Sequence, residues 1–414
     1  MTLRRAWLAP LLLPLTAWLG GCSVAGRPLA DLDDDRLTGS APPEVRVGIV
    51  VDAPSIQVAT DGRIELVDEG GRVRERGAGP WTVTRSGSRL EATSGASTIR
   101  VDGVLVVRPV RGRVRVNGTG YHGAVLLRPA ASGVTAVNLL DLEAYLRGVV
   151  PLEIGAGRPP EVVEAVKAQA IAARTYAVRQ LGRRDVLGFD YYGTVLDQAY
   201  GGADVEDPVA TRAVEATRGV ILTYRGEPIE AYYHSTCGGR TAALDEVWVG
   251  EPRPYLRSVS DRTRGGWYCE SSSRFSWSEE WNETALLETL TVGLRGRGMG
   301  TISEVRSIEV RGRTPSGRAE ALEIRTDAGT TRVRGDSIRW VLRPEPGRIL
   351  NSTVIEVEAR GSGRVTGLTV HGSGWGHGIG MCQVGALGRA RDGHSYRAIL
   401  ATYYPGTRLV RLYR

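Results

Sequence analysis

Two helical segments separated by prolines, DLEAYLRGVVPLEIGAGRPPEVVEAVKAQAIAARTYAVRQ from Asp141 to Gln180, constrain this chain more than any other stretch. Leu142, Leu146, Val149 and Val150 recur at helical spacing, so the first segment carries an apolar stripe that needs a cover. Asp141 stands where an N-cap belongs, and Glu143 falls in the first turn, where a carboxylate suits the helix dipole. Pro151 is expected to stop this helix, and Pro159-Pro160 to open the next. In the second segment Val163, Val166, Ala170, Ala173, Ala177 and Leu181 share one side, and Gly182 ends the pattern. Lys167 and Arg174, two turns apart, form an aligned basic face. This reading leaves Glu153 on a short apolar turn, among Val149, Val150, Pro151, Leu152 and Ile154. Such surroundings desolvate a carboxyl and raise its pKa, as a general acid near neutral pH requires. A solvated loop carboxylate fits the same pattern, and periodicity does not separate the two.

At 414 residues, 42% apolar and 24% charged, the chain suits two or three domains with a sizeable core. Its net charge is +7, and every basic residue except Lys167 is arginine. Basic clusters interleaved with aromatics are missing, which argues against a nucleic-acid partner. A mildly basic surface suits an anionic polymer. At the N-terminus Arg4-Arg5 precede the apolar run Ala6–Leu19, and Leu19-Gly20-Gly21-Cys22 has the wording of a lipoprotein cleavage site. Residues 1–22 are therefore expected to be a signal peptide and Cys22 an acylated anchor. The chain would be lipid-tethered to a membrane on its periplasmic or extracytoplasmic face. Ser23 after the cysteine favours the outer membrane if the cell is Gram-negative. An acidic run and Pro42-Pro43 make residues 23–43 a flexible tether.

From 44 to 128 short alternating runs (VRVGIVV, RIELV, TIRVDGVLVVRP, GRVRVNG) separated by glycine-rich turns predict strands. Helices are expected over 139–182, weakly at 208–218 and 278–290, then at Gln383–Arg391 and Tyr396–Tyr403. Strands return at 304–335, as a hairpin-like pair, and at 352–371. The expected fold is α+β: a mixed, β-rich, two-lobed core over 129–410 with a few helices around a cleft. A β-rich second lobe would span 284–370, and a β-rich region over 44–128 would precede the core.

The wording of several segments is specific. LLDLEAYLRGVVPLEI (139–154), EAVKAQAIAARTYAV (164–178), QAYGG (198–202), AVEATRGVILTYRGEPIEAYYHSTCGGRT (213–241), PYLRSV (254–259), GSGWGHGIGMCQVGALGRA (372–390) and TYYPGT (402–407) follow in order. Together they resemble the stage II sporulation protein D / LytB family of peptidoglycan-acting envelope proteins, over roughly residues 110–410. The resemblance implies a lytic transglycosylase that cleaves the β-1,4 bond between N-acetylmuramic acid and N-acetylglucosamine, with Glu153 as acid/base. Its alternative is a non-catalytic amidase enhancer, or a wall-binding lipoprotein, whose partners are glycan strands and a wall amidase. Asp197, Asp245 and Glu246 are possible second carboxylates, but no motif puts them beside Glu153. A single acid favours transglycosylation over hydrolysis.

Two glycine-rich loops are expected to face Glu153. In STCGGRT, headed by His234 and Ser235, Gly238 and Gly239 let backbone approach a ligand, and Arg240 and Thr241 supply donors. In GSGWGHGIG, Trp375 offers a stacking face and His377 a donor, with Gln383 just beyond. Either loop alone reads equally as a tight turn with a buried tryptophan. Arg174 and Lys167 are candidates for the lactyl or acetamido side of the sugar; a salt-bridged helix face is the other reading. An oxidising envelope favours a disulfide between Cys237 and Cys269, closing a loop of 33 residues counting both ends. The chain-entropy model assigns such a loop about 3.7 kcal/mol. Cys382 reads as a small buried thiol, since other family members often have serine there. Some members bind zinc through His and Cys ahead of a Q-x-Y motif. The corresponding stretch here, DVLGFDYYGTVLDQAY (185–200), has neither, so no metal and no cofactor is expected. His234 and Cys237 have ligand spacing but would need two further ligands from elsewhere.

Overall fold

Alternation sets the first half of the fold, because period-2 patterns put one face of each strand into a core. The computed structural model describes Gly39 and residues 41–414. Cys22, the signal run and nearly all of the tether lie outside the described residues. A seven-stranded sheet runs in the order Tyr191–Tyr192, Glu44–Ala53, Val134–Asp141, Ala124–Pro129, Leu105–Arg111, Arg63–Asp68, Val73–Gly77. A six-stranded antiparallel sheet packs against it, and both feed one core through Val47, Ile56, Trp81, Leu105 and Val125.

Residue 128 is no break in this architecture. Strand Val134–Asp141 pairs with Glu44–Ala53 on one side and Ala124–Pro129 on the other, and buries Val134 through Asn138 without interruption. Leu139 and Leu140, within the range expected as helix, instead end this strand with the cap residue Asp141, because the β-branched run before them is covered on both faces. Seven helices lie among the described residues: α1 (Leu142–Ile154), α2 (Val163–Gln180), α3 (Pro208–Ala216), α4 (Glu283–Leu294), α5 (Ser337–Val341), α6 (Gln383–Arg391) and α7 (Tyr396–Tyr403). With the sheets they make an α+β fold.

Asp141 caps α1 by accepting from Ala144 N at 3.0 Å. Leu142, Leu146, Val149 and Val150 are fully buried, each contributing about 1.5–3 kcal/mol by removal from water. Pro151 does not stop α1. It lies inside the last turn, where its missing N–H removes one hydrogen bond and the helix runs on to Ile154 before Gly155 ends it. Glu153 is thus a helical residue. The second helix also departs from its expected two-faced pattern. α1, α3, α6 and α7 surround α2, and most of its residues are buried on every side.

A second apolar cluster runs from Trp281 to Val370 and is built from α4, α5 and six strands. Residues 278–282, expected as the start of a helix, are strand Trp277–Asn282, paired with Gly367–Ser373. WSEEWN alternates, so its tryptophans share one face, and Asn282 then caps α4 by accepting from Ala285 N at 2.9 Å. Two-residue strands Tyr233–His234 and Met381–Cys382 pair in parallel and bring both glycine-rich loops together directly ahead of α6.

Candidate functional site

Three distant segments meet at Glu153. α1 presents it from its last turn, half-buried. Its Oε1 accepts from Ala199 N of QAYGG at 3.0 Å. Its Oε2 lies 3.5 Å from Nε2 of Gln383, the first residue of α6. Burial pushes this carboxyl above its ordinary pKa, while the Ala199 N–H, the Gln383 amide and the Tyr233 hydroxyl act in the opposite direction. The net effect is a group that keeps its proton longer than a solvated glutamate does.

Behind the carboxyl stands a buried polar chain. Gln198 donates to the Tyr233 hydroxyl at 2.9 Å and accepts from Tyr145 at 3.1 Å. Gln383 also lies 3.4 Å from Oε1 of Gln169, a fully buried side chain whose Nε2 has no partner among the described residues. Tyr233, Gln198, Ala199, Gln169 and Tyr145 were not singled out from sequence, although the motifs QAYGG, EAYYH and AVKAQ contain four of them. Only the fold shows that they connect, directly, through one another or through Gln383, to one carboxylate.

The glycine-rich loops do converge, but largely on each other. Trp375 exchanges backbone hydrogen bonds with Thr236 at 3.0 and 2.8 Å. Gly380 has φ +73°, and a Cβ there would fall 2.0 Å from the Tyr232 carbonyl, so the loop crosses its neighbour at backbone distance. Gly238 and Gly239 serve the same purpose, since a Cβ would meet Ser373 at 3.0 Å and Trp267 at 3.2 Å. Their lack of a side chain admits protein, not the ligand expected from sequence. Thr241 is buried, accepts from Val259 N at 2.8 Å and is structural. Ser235 is half-buried, its carbonyl accepting from Val384 N at 3.0 Å. Arg240 is exposed.

His377 uses both ring nitrogens internally: Ile379 N donates to Nδ1 at 3.0 Å and Nε2 donates to the Tyr233 carbonyl at 3.0 Å. Burial and the Arg339 guanidinium push its pKa down to about 4, so it is neutral and positions the strand carrying Tyr233. The donor role expected for it is therefore corrected. His234 is buried and neutral, donating from Nδ1 to the Ile379 carbonyl at 3.2 Å, with Nε2 unpartnered among the described residues. Trp375 keeps its expected exposure at 45%, with the Arg274 guanidinium 5.1 Å from its ring centre.

Lys167 and Arg174 of α2, expected as a basic face, are both ion-paired, and Arg174 does not lie on a surface face. Arg174 is 0% exposed. Its five donors go to Glu143 (2.9 and 2.8 Å), the Val214 and Val220 carbonyls, and Thr217. Glu143, in the first turn of α1, is its buried counter-ion and also accepts from Gly219 N and the Tyr413 hydroxyl. No donor remains for a sugar. Lys167 pairs with Glu164 at 2.7 Å, and the other Glu164 oxygen takes Tyr396 N.

None of the possible second carboxylates bonds to this group. Asp197 is held by Arg184, Tyr176 and Tyr192 N. Glu246 accepts from Ser316 N, and Asp245 is exposed. Cys237 and Cys269 are free thiols with their sulfurs 3.5 Å apart, and Cys382 packs beside them. The bond expected between Cys237 and Cys269 is not formed in this structure, where the two sulfurs stand at contact distance.

The fold and site define an α+β protein with one proton-retaining carboxyl where three sequence-distant motifs meet. A family profile described as "Stage II sporulation protein" matches residues 130–224, and one described as a domain of unknown function matches 263–380. The chain is 32% identical over 290 residues to stage II sporulation protein D of Bacillus subtilis, covering 66% of this chain and 76% of that one. It is 32% identical over 296 residues to an uncharacterized protein of Brachyspira hyodysenteriae, covering 71% and 73%. It is 30% identical over 292 residues to the amidase enhancer of Bacillus subtilis, covering 64% of this chain but 40% of that protein. This chain belongs to the stage II sporulation protein D / LytB family.

Proposed function

We propose that the protein acts on peptidoglycan glycan strands as a lytic transglycosylase, with Glu153 as its single acid/base. The observation that carries this reading is the half-buried carboxyl itself, raised by desolvation yet held in place by Ala199 N–H, the Gln383 amide and the Tyr233 hydroxyl. Protonated Glu153 gives its proton to the glycosidic oxygen as the bond from the muramic C1 breaks and positive charge develops on the sugar. The carboxylate left behind takes the proton of the C6 hydroxyl of that sugar, whose oxygen then bonds to C1 and closes a 1,6-anhydro ring. Atoms balance without water, and the carboxyl is restored. One catalytic carboxylate suffices, in keeping with the bonding of Asp197 and Glu246 elsewhere and the exposure of Asp245.

The envelope is the corresponding location, with Cys22 as lipid anchor. No helix among the described residues is long and apolar enough to cross a membrane. The amidase-enhancer relative supports a second reading, in which the same surface binds glycan or a wall amidase without cleavage. The test incubates the chain from Ser23 onward with glycan strands, with and without stem peptides, and analyses the products by mass. Anhydro-muramic ends that vanish in Glu153→Gln support the enzyme. Binding without new ends, unchanged in Glu153→Gln, supports the second reading, and cleavage that survives the substitution removes Glu153 from the mechanism.

A further inference from the structure

Beneath the glycine-rich loops lies a cluster that the glycan reading does not use. Cys237 of STCGGRT, Asp261, Cys269 and Cys382 at the N-cap of α6 are fully buried. Their ligating atoms all lie within 4.8 Å of one another. The sulfurs of Cys237 and Cys269 are 3.5 Å apart, and Cys237 Sγ is 3.6 Å from Asp261 Oδ2. A tetrahedral zinc ion with Zn–S bonds of about 2.3 Å has ligand–ligand edges of about 3.8 Å, and slightly less to oxygen. Cys237 Sγ thus stands near such an edge from both Cys269 and Asp261, and the other pairs stay within 4.8 Å, close enough for one ion to draw in all four.

The surroundings fit the same occupant. Asp261 Oδ1 accepts from the Tyr403 hydroxyl at 2.7 Å and from Arg389 at 3.0 Å, which turns Oδ2 toward the thiols. Outer hydrogen bonds of this kind orient metal ligands. Backbone N–H groups of Cys237 and Gly385 point at Cys382 Sγ, at 3.2 and 3.3 Å. Gly385 is needed there, because a Cβ would sit 2.1 Å from Asp261 Oδ2. A disulfide between any two of the thiols strands the third and leaves Asp261 Oδ2 facing sulfur, whereas an ion uses all four groups.

We propose that Cys237, Asp261, Cys269 and Cys382 form a structural zinc site, distinct from the His/Cys segment ahead of the Q-x-Y motif. The thiols release their protons to solvent as the ion binds, with no change of oxidation state. Three thiolates and a carboxylate favour zinc over harder cations, and four protein ligands in a closed, buried site leave no open position for catalysis. The ion would tie the STCGGRT loop to the start of α6, one residue from Gln383. This inference does not depend on the glycan reading.

The full-length chain, purified in mild detergent without chelator or reductant, is expected to carry about one zinc ion per molecule by elemental mass spectrometry. Cobalt exchanged into the wild-type protein is expected to give thiolate-to-metal charge-transfer absorption in the near ultraviolet and the visible bands of a tetrahedral ion. Cys269→Ser and Cys382→Ser lose the metal. Tyr403→Phe, which removes only the outer clamp on Asp261, is expected to weaken retention against a chelator about 10–100-fold. Wild-type protein without metal and without the cobalt spectrum overturns the proposal. So does a Cys237–Cys269 disulfide found by peptide mapping of the same preparation. Both wild-type results stand even if the cysteine variants fail to fold.

Discussion

The Gln383 amide lies 3.5 Å from Glu153 Oε2 and joins residues 230 positions apart in the chain. A donor to the charged form lowers a carboxyl pKa, and its removal raises it. In Gln383→Met the glutamate should therefore hold its proton to higher pH. The alkaline limb of the cleavage pH profile, where the general acid is lost, is expected to move upward. The maximal rate should fall about tenfold, since a charge-assisted contact on the reacting group has been removed. A limb that stays put or moves down in a pH–rate series excludes this electrostatic link.

Glu153 carries a stability signature that needs no substrate. Its folded pKa is raised, so between the unfolded and folded values the native state holds more protons, and stability falls as pH rises through that window. Glu153→Gln keeps an acceptor for Ala199 N and deletes the ionisation. The variant is expected to melt higher than wild type at neutral pH, by on the order of 1 °C, and the gain should vanish as pH drops below the usual carboxyl range. Calorimetry at several pH values reads this directly.

Much of this site was legible because its residues lie in long motifs with local signals. Asp141 as N-cap, the buried stripe of α1, and the bounds of α6 and α7 all follow from capping and periodicity. Burial partners were not legible. Arg174 and Lys167 sit at equivalent helical spacing, yet one is sealed against Glu143 and the other lies half-buried against Glu164, a difference set by how α3 and the C-terminal Tyr413 pack. Pro151 misled for a different reason, since the loss of one hydrogen bond in a last turn is outweighed by the burial of Val149, Val150 and Ile154. The four ligands of the cysteine cluster come from residues 237 to 382, beyond the reach of any spacing argument.

The Glu143–Arg174 pair is expected to dominate the stability of the helical core. Removing one member of a buried pair leaves an uncompensated charge, so Arg174→Met should cost about 3–5 kcal/mol in denaturant unfolding. Lys167→Ala should stay within about 0.5 kcal/mol. Burial pushes Glu143 up, but Arg174, Tyr413 and Gly219 N outweigh it and leave its pKa below the usual 4.5. That stabilisation is complete above the unfolded value and is lost as pH falls through the lowered one. Wild type should therefore lose its advantage over Glu143→Gln in acid, not in base.

Gly380 tests whether the two loops are joined at backbone distance. Gly380→Ala puts a methyl 2.0 Å from the Tyr232 carbonyl at φ +73°, whereas Gly226→Ala, at φ +87°, meets nothing within 4 Å. The second change should cost about 1–2 kcal/mol from the left-handed backbone alone. The first must also part the Tyr233–Met381 pairing and should cost at least twice as much, with weaker amide protection in both strands. Equal costs would mean that the crossing yields freely.

Trp375 is an exposed aromatic that offers a face to a pyranose ring, held by its backbone pairing to Thr236 and flanked by Arg274. Its side chain supports little of the core, so Trp375→Ala should leave the melting temperature within about 1 °C. Stacking of a ring on such a face is worth about 0.5–1.5 kcal/mol beyond burial. Together with the lost contact area, this predicts a roughly tenfold weaker affinity for purified glycan strands in a sedimentation binding assay. Trp375→Phe should recover most of it. Unchanged binding in Trp375→Ala would move the sugar-contacting surface elsewhere on the protein, while leaving the Glu153 carboxyl and its partners as found.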